Sequence, residues 1–169
     1  MALHIVLFEP EIPQNTGNIA RTCAAIGASL HLVHPLGFNI DEKSVRRAGL
    51  DYWKDVTVIE HKSIESFLEE HKNSHLWFFT TKSEMTYTNA EFEEESYIIF
   101  GRESRGIEES ILVDYPTACI RIPMLDETRS LNLSNSVAIG AYEWQRQHQF
   151  YHLQTKGALH RLNWNKGEK

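Results

Sequence analysis

The sequence predicts a single α/β domain built on a mainly parallel sheet with helices on both faces. Three observations predict it. Short apolar runs alternate with helix-like segments along the first 150 residues, the pattern of strand–helix–strand units. The first of these runs is apolar enough for a strand covered on both sides. The chain has 169 residues, 41% hydrophobic and 24% charged, which is one ordinary domain able to bury a real core without staples.

The elements follow in order. Residues 3–8 read as a buried strand. Gln14, Asn15, Thr16, Gly17 and Asn18 supply capping residues for a helix whose apolar face is Ile19, Cys23 and Ile26. Residues 30–33 form a second strand, closed by Pro35. A short basic helix over 42–49 stops at Gly49. A third strand covers 56–59, and Ser63 starts a helix over 63–71. Strands four, five and six are placed at 76–80, 97–100 and 118–122, with a short helix at 107–112 between the last two. The longest helix runs from 133 to about 149, with Val137, Ala141 and Trp144 on one face. Residues 1–150 are thus one domain. Residues 151–169 lose the periodicity and are expected to be a partly disordered tail.

Lys plus Arg is 17 and Asp plus Glu is 23, a net charge of −6. This excludes a general attraction to nucleic acid or to an anionic membrane; such a partner must meet a local basic patch. No apolar run approaches the ~20 residues of a membrane span, and the start lacks the basic region of a signal peptide. Cys23 and Cys119 sit among apolar neighbours and read as buried reduced thiols, so a cytoplasmic location is expected. Nine histidines are scattered along the chain. His148 and His152 are helically spaced but have no acidic partners, so no metal site is expected.

Three segments exceed what a plain α/β core needs. Residues 10–21 place Asn15, Asn18 and Arg21 three apart, on one predicted helix face. They form either a capped helix start with a solvated Arg or an anion site, since a guanidinium fork matches phosphate. Residues 100–107 set Gly101 and Gly106 around a charged turn after a strand. The turn permits close approach of a ligand or is simply tight. It lacks the lysine of a phosphate-binding P-loop, and no dinucleotide fingerprint follows strand one, which argues against a nicotinamide oxidoreductase. Residues 120–141 open a helix amid Ser130, Asn132, Ser134 and Asn135, more capping groups than one helix uses. Ala138, Gly140 and Ala141 form a small-residue stripe that suits a helix interface or ordinary core packing.

In this order, the run Pro-x-Ile-Pro-x-Asn-Thr-Gly-Asn-Ile-x-Arg, the turn Phe-Gly-x-Glu-x-x-Gly and the run Ile-Pro-Met…Ser-Leu-Asn-Leu-Ser-Asn resemble the SPOUT superfamily of RNA methyltransferases. The similarity is to its small single-domain members, spans residues 3 to about 147 and includes the stretch Arg46-Arg47-Ala48-Gly49-Leu50-Asp51-Tyr52. It departs at Arg102, where relatives often carry Pro or a small residue. The resemblance implies a C-terminal trefoil knot, a fold that periodicity could not reveal. It also implies an obligate homodimer whose active site uses both subunits, with residues 137–141 and the helix bearing Ile19 as contact elements.

The implied activity is an S-adenosylmethionine-dependent tRNA 2′-O-methyltransferase. It acts on the ribose of the wobble cytidine or uridine, position 34 of the anticodon loop, and releases S-adenosylhomocysteine. The resemblance places the cofactor against Phe79, Thr80, Gly101, Glu103, Ile122, Met124, Ser130, Leu131 and Leu133. It nominates Arg21 as phosphate anchor and base. Tyr142 is the alternative proton acceptor, and Glu103, Ser134 and Asn135 are supports. Candidate RNA contacts are Asn15, Asn18, Arg21, Lys43, Arg46, Arg47, Arg121 and Arg129, with Lys54 and Arg105 nearby. The chemistry is consistent: a ribose hydroxyl is a poor nucleophile until its proton is taken, and alignment contributes most of the acceleration.

Overall fold

The computed structural model describes residues 1–40, 53–162 and 164. Six strands form one sheet: β1 (Ala2–Phe8), β2 (Ser29–Val33), β3 (Val58–His61), β4 (Leu76–Phe79), β5 (Glu95–Phe100) and β6 (Cys119–Ile120). Their order is β3-β2-β1-β5-β4-β6, and every pairing is parallel. The helices are α1 (Pro13–Ile26), α2 (Ile64–Glu70), α3 (Glu109–Leu112) and α4 (Leu133–Gln147), with short 3₁₀ turns at Trp53–Asp55 and Tyr87–Asn89. The predicted helix over 42–49 lies outside the described residues.

Alternation along the strands feeds two cores. Leu3, Ile5 and Leu7 of β1, Leu30 and Leu32 of β2, and Ile98 and Phe100 of β5 face Ile19, Cys23, Val137, Ala141 and Trp144 of α1 and α4. Val6, Phe8, Val33, Tyr97 and Ile99 face Phe67 of α2 and Leu112 of α3. Both faces are therefore covered, as the apolar runs require. Gly140 lets α4 lie against Phe79, whose Cζ would be 2.6 Å from any Cβ there. The end of α4 is strapped to the chain before β5: the Gln147 amide donates to Ala90 O (2.8 Å) and accepts from Phe92 N (2.9 Å).

Several expectations are corrected. Strand three starts two residues later than expected. It is an outer strand whose register is set by Leu30 opposite Val58 and Val33 opposite His61, and Ile59 is left exposed. Val137 and Ala141 of α4 and Ile19 of α1 have no exposed surface and pack in the chain's own core, whereas Ala138 and Ile139 of α4 stay half-buried. The amides at the start of α1 do not cap it. The helix begins with Pro13 after Ile12, which makes no side-chain cap, and Asn15 and Thr16 are buried within it. Residues 151–162 form turns and irregular chain, with Leu153 packed on the main core.

Four of the nine histidines are gathered in space. His4, His31, His61 and His71 stack with Phe67 and Tyr97 on the α2 side of the sheet. Burial, then the neighbouring imidazoles, pushes His31 down to about 3. Burial also lowers His4 and His71. These three rings are neutral at pH 7.

Cys23 and Cys119 are buried free thiols, and burial pushes Cys23 up to about 12 and raises Cys119 as well. A thiolate is the reactive form. The native protein should therefore show no fast reaction with a thiol reagent at pH 8, and both cysteines should react once urea unfolds it. Rapid labelling of the native chain would contradict this burial.

Candidate active site

A cleft of about 570 Å³ opens at the carboxyl ends of β4 and β5. Ligands of parallel sheets bind at this end, where the strand order reverses between β1 and β5. Its size is within the ~300–1,000 Å³ of small-molecule sites. The walls come from the end of β4, the turn after β5, the loop before α4 and the first turn of α1.

The turn after β5 has its shape because Gly101 has no side chain. A Cβ there would lie 2.1 Å from the carbonyl carbon of Gly106. The Gly106 amide closes the turn on Arg102 O at 2.8 Å, with φ at +70°, a conformation glycine accepts at little cost. Arg102, the departure from the family pattern, is ion-paired with Glu9 at the end of β1.

Glu103 fastens this turn to α1. Its carboxylate accepts from Glu11 N (2.8 Å), Ile12 N (3.1 Å) and Asn15 Nδ2 (3.1 Å). In return, Glu11 accepts from Ser104 N (3.0 Å) and Ser104 Oγ (2.9 Å), and these bonds hold its carboxyl below the usual range. A carboxylate on a helix start satisfies orphan amides and favours the dipole. It fixes from a distant turn the two residues that lead into α1, where Ile12 makes no side-chain cap. Asn15 Oδ1 then accepts from Asn132 Nδ2 at 3.0 Å. Asn132 is the N-cap of α4: its Oδ1 accepts from the Ser134 amide (2.9 Å), the Asn135 amide (3.3 Å) and Ser134 Oγ (2.6 Å). The excess polar residues before α4 thus cap one helix and tie it to another. Asn132 was legible only as capping material, because its second partner lies 117 residues away.

All nine positions expected to meet the cofactor line this cleft: Phe79, Thr80, Gly101, Glu103, Ile122, Met124, Ser130, Leu131 and Leu133. Asn15 and Arg129 line it too. Lys82, Arg102 and Arg105 also line it and, with Arg129, outnumber Glu103 among the ionisable lining residues. Apolar walls, turn backbone and a few charged groups suit a zwitterionic nucleoside ligand.

The remaining candidates stand elsewhere. Asn18, Arg21, Asn135 and Tyr142 are exposed, Arg121 is half-buried, and none of them lines the cleft. The single face expected for Asn15, Asn18 and Arg21 is split: Asn15 is buried and the other two are exposed. Each three-residue step lags a full turn by about 60°, so Arg21 is rotated about 120° from Asn15. Lys43, Arg46 and Arg47 lie outside the described residues.

The model of the SpoU rRNA methylase family matches residues 2–142. The chain belongs to that family. Among similar SpoU-type proteins, one from Geobacillus stearothermophilus is 47% identical over 90% of this chain and 99% of its own. Its name, tRNA (cytidine(34)-2'-O)-methyltransferase, is given provisionally. The Escherichia coli K12 protein that bears this name without qualification is 46% identical over 86% of this chain and 93% of its own. A solved structure described as giving structural insights into the 2-OH methylation of C/U34 on tRNA superposes with a TM-score of 0.82. It is 45% identical and covers 88% of this chain and 97% of that one. The SpoU methyltransferase AviRb of Streptomyces viridochromogenes, solved with AdoMet, shares the fold at 21% identity and a TM-score of 0.75, over 88% of this chain and 58% of its own.

Replacing Glu103 tests the tie between the turn and the helix. Glu103→Ala should lower stability by about 0.5–2 kcal/mol, the scale of a lost helix cap, read as a lower urea midpoint with an unchanged slope. A stability equal to the wild type would show that these amides do not depend on the carboxylate.

Proposed function

We propose that the protein is an S-adenosylmethionine-dependent tRNA 2′-O-methyltransferase acting on the wobble ribose at position 34. The observation that carries this reading is the convergence of the three unusual segments on one cleft at the carboxyl edge of the sheet. The names of the similar proteins supply the reaction and the nucleotide. That the family model is named for rRNA does not weigh against it, since relatives of nearly full length act on tRNA by name.

In this reading Phe79, Ile122, Met124, Leu131 and Leu133 hold the adenosine against apolar surface, and the turn from Gly101 to Gly106 offers backbone groups to its polar edges. When bound, S-adenosylmethionine supplies an electrophilic methyl group on a sulfonium. The chain's own residues then place the ribose and receive the 2′-hydroxyl proton. Arg21 anchors the adjoining phosphate, and Arg21 and Tyr142 are the two candidate acceptors of that proton. Asn135 lies seven residues before Tyr142, within about 20° of it around α4, so the two share one outward helix face. Glu103 is better cast as a positioning residue, because its oxygens already accept three hydrogen bonds.

Arg21, Asn135 and Tyr142 are exposed and off the cleft within one chain. A homodimer that sets one subunit's cleft against the outer faces of its partner's α1 and α4 would bring them to the reacting ribose. The same reading includes the trefoil knot, formed where the chain after β6 passes back to α4, and a cytoplasmic location. Among the described residues no helix is long and apolar enough to cross a membrane. RNA contacts fall to Arg129 and Arg105 at the cleft, Arg121 nearby, Asn18, and the basic run Lys43, Arg46 and Arg47.

The direct test incubates the purified protein with tRNA and labelled S-adenosylmethionine, followed by nucleoside mass spectrometry. One methyl group should appear on the ribose at position 34. Methylation elsewhere, or none with every tRNA, would overturn the assignment.

Arg21→Ala should retain cofactor binding and lose at least roughly 10²-fold in turnover, the scale of one positioned catalytic group. An unchanged rate would move the role to Tyr142. Binding of tRNA should weaken steeply with salt despite the net charge of −6. Replacing both Arg46 and Arg47 by Ala should flatten the slope of log affinity against log salt by about one unit or less per lost phosphate contact. An identical slope would leave that pair outside the RNA interface.

A further inference from the structure

Outside the cleft three histidines form a hydrogen-bonded row, and a fourth, His71, packs against it. His4, His31 and His61 stand on the neighbouring strands β1, β2 and β3, and His71 ends α2. None of them lines the cleft. His4 Nδ1 is 2.9 Å from His31 Nε2, and His31 Nδ1 is 2.9 Å from His61 Nε2. His61 Nδ1 then lies 3.3 Å from Glu70 Oε2. At the other end, His4 Nε2 is 3.7 Å from Glu95 Oε1 and is buried without a hydrogen-bond partner. His71 Nε2 is buried and unpartnered as well.

Counting hydrogens explains the loose end. Three imidazoles with one ring hydrogen each carry three in all. Set on Nδ1 of His61, His31 and His4, they serve Glu70 and both ring-to-ring contacts. His4 Nε2 is then bare where it faces a carboxylate. The row is one hydrogen short of completion, and His71 beside it has a lone pair with nothing to bind.

We propose that His31, His61 and His71 form a binding site for one zinc-like divalent transition-metal ion. A ring nitrogen of each lies within 4.8 Å of one from each of the others. A tetrahedral ion takes nitrogen at about 2.0–2.1 Å, which spaces its ligands about 3.4 Å apart. His71, at a helix end rather than within a strand, is the ring that moves in, while the His31–His61 pair opens from its present 2.9 Å. The ion takes the lone pairs of His31 Nδ1, His61 Nε2 and His71 Nε2. The hydrogen of His31 shifts to its Nε2 and is donated to His4 Nδ1. The hydrogen of His4 shifts to its Nε2 and turns to Glu95. Three ring hydrogens are present in this row before and after, so no proton leaves it, and both unpartnered nitrogens gain partners.

His61 keeps Nδ1–H on Glu70, the carboxylate–histidine–metal arrangement that orients such ligands. Nitrogen-only ligation favours zinc, cobalt or nickel over magnesium or calcium. A water completes the fourth position, as in other three-histidine sites. Phe67 and Tyr97 pack around the rings. The ion therefore pins β2, β3 and α2 together and takes no part in the cleft's chemistry.

The test strips the full chain with a chelator and titrates it with Co²⁺, read by visible absorption, and with Zn²⁺, read by calorimetry. One ion per chain should bind, with the intense bands of tetrahedral cobalt. At free zinc of about 100 times Kd the unfolding constant should fall about 100-fold, and Mg²⁺ should do neither. His71→Ala should lose the bands and the stabilisation, whereas a variant with both His148→Ala and His152→Ala should keep them. X-ray absorption at the zinc edge of the wild type should read three imidazole ligands, which decides the matter even if His71→Ala fails to fold. No stoichiometric binding, bands that survive His71→Ala, or bands lost with His148 and His152 would each overturn the proposal.

Discussion

The carboxylate of Glu103 at the start of α1 is the contact on which the arrangement of this edge of the sheet depends. It holds two amides of the chain just before α1, Glu11 N and Ile12 N, and the Asn15 side chain within it. Through Asn15 it extends to Asn132, which sets the start of α4. Apolar packing fixes where the two helices lie along the sheet, but such packing is not directional. The polar relay fixes their rotation and height at the end where the cleft opens. Hydrogen bonds to a charged group contribute about 1.5–3 kcal/mol each, roughly twice the ordinary value. A single carboxylate can therefore hold a turn, two helix starts and one wall of a pocket in register.

Much of the fold was legible because strands buried on both faces read as apolar runs. Ile98, Ile99 and Phe100 declare themselves; Val58 and Ile59, on an outer strand with one face open, do not, and the boundary there moved by two residues. Helix ends followed capping chemistry where the cap is local, as at Ser63 with Ser66. They misled where it is remote, as at Asn15 and Thr16. The nine positions expected to meet a cofactor came from the family resemblance rather than periodicity, and the cleft gathers all of them. Strand order, the role of Asn132 and the partners of Glu103 could not be read, since each joins segments that only the folded chain brings together.

The histidine row was hidden for a related reason. His4, His31 and His61 have no motif spacing, being 27 and 30 residues apart. Parallel strands, however, each return to the same edge before starting again, so side chains on successive strands reach similar heights across an intervening helix or loop. His31 lies opposite Val6 and His61 opposite Val33, so the three histidines run diagonally across β1, β2 and β3, two residues on at each strand, whatever the length of chain between them. Residue spacing alone does not bring these rings together; the strand register and the end of α2 do.

The cationic rim of the cleft has a consequence for how a polyanion arrives. Lys82, Arg105 and Arg129, beside an Arg102 already paired with Glu9, are set in a chain with an overall charge of −6. At physiological salt, fields fade over about 8 Å, so an incoming phosphate chain senses only the patch nearest to it. The net charge offers it no general attraction, and near the cleft these cations draw it in. The molecule gives up a wide capture radius and gains selection by approach angle. Encounters are filtered for orientation before any base or ribose is touched, and a uniformly basic surface of equal size would forgo that filter.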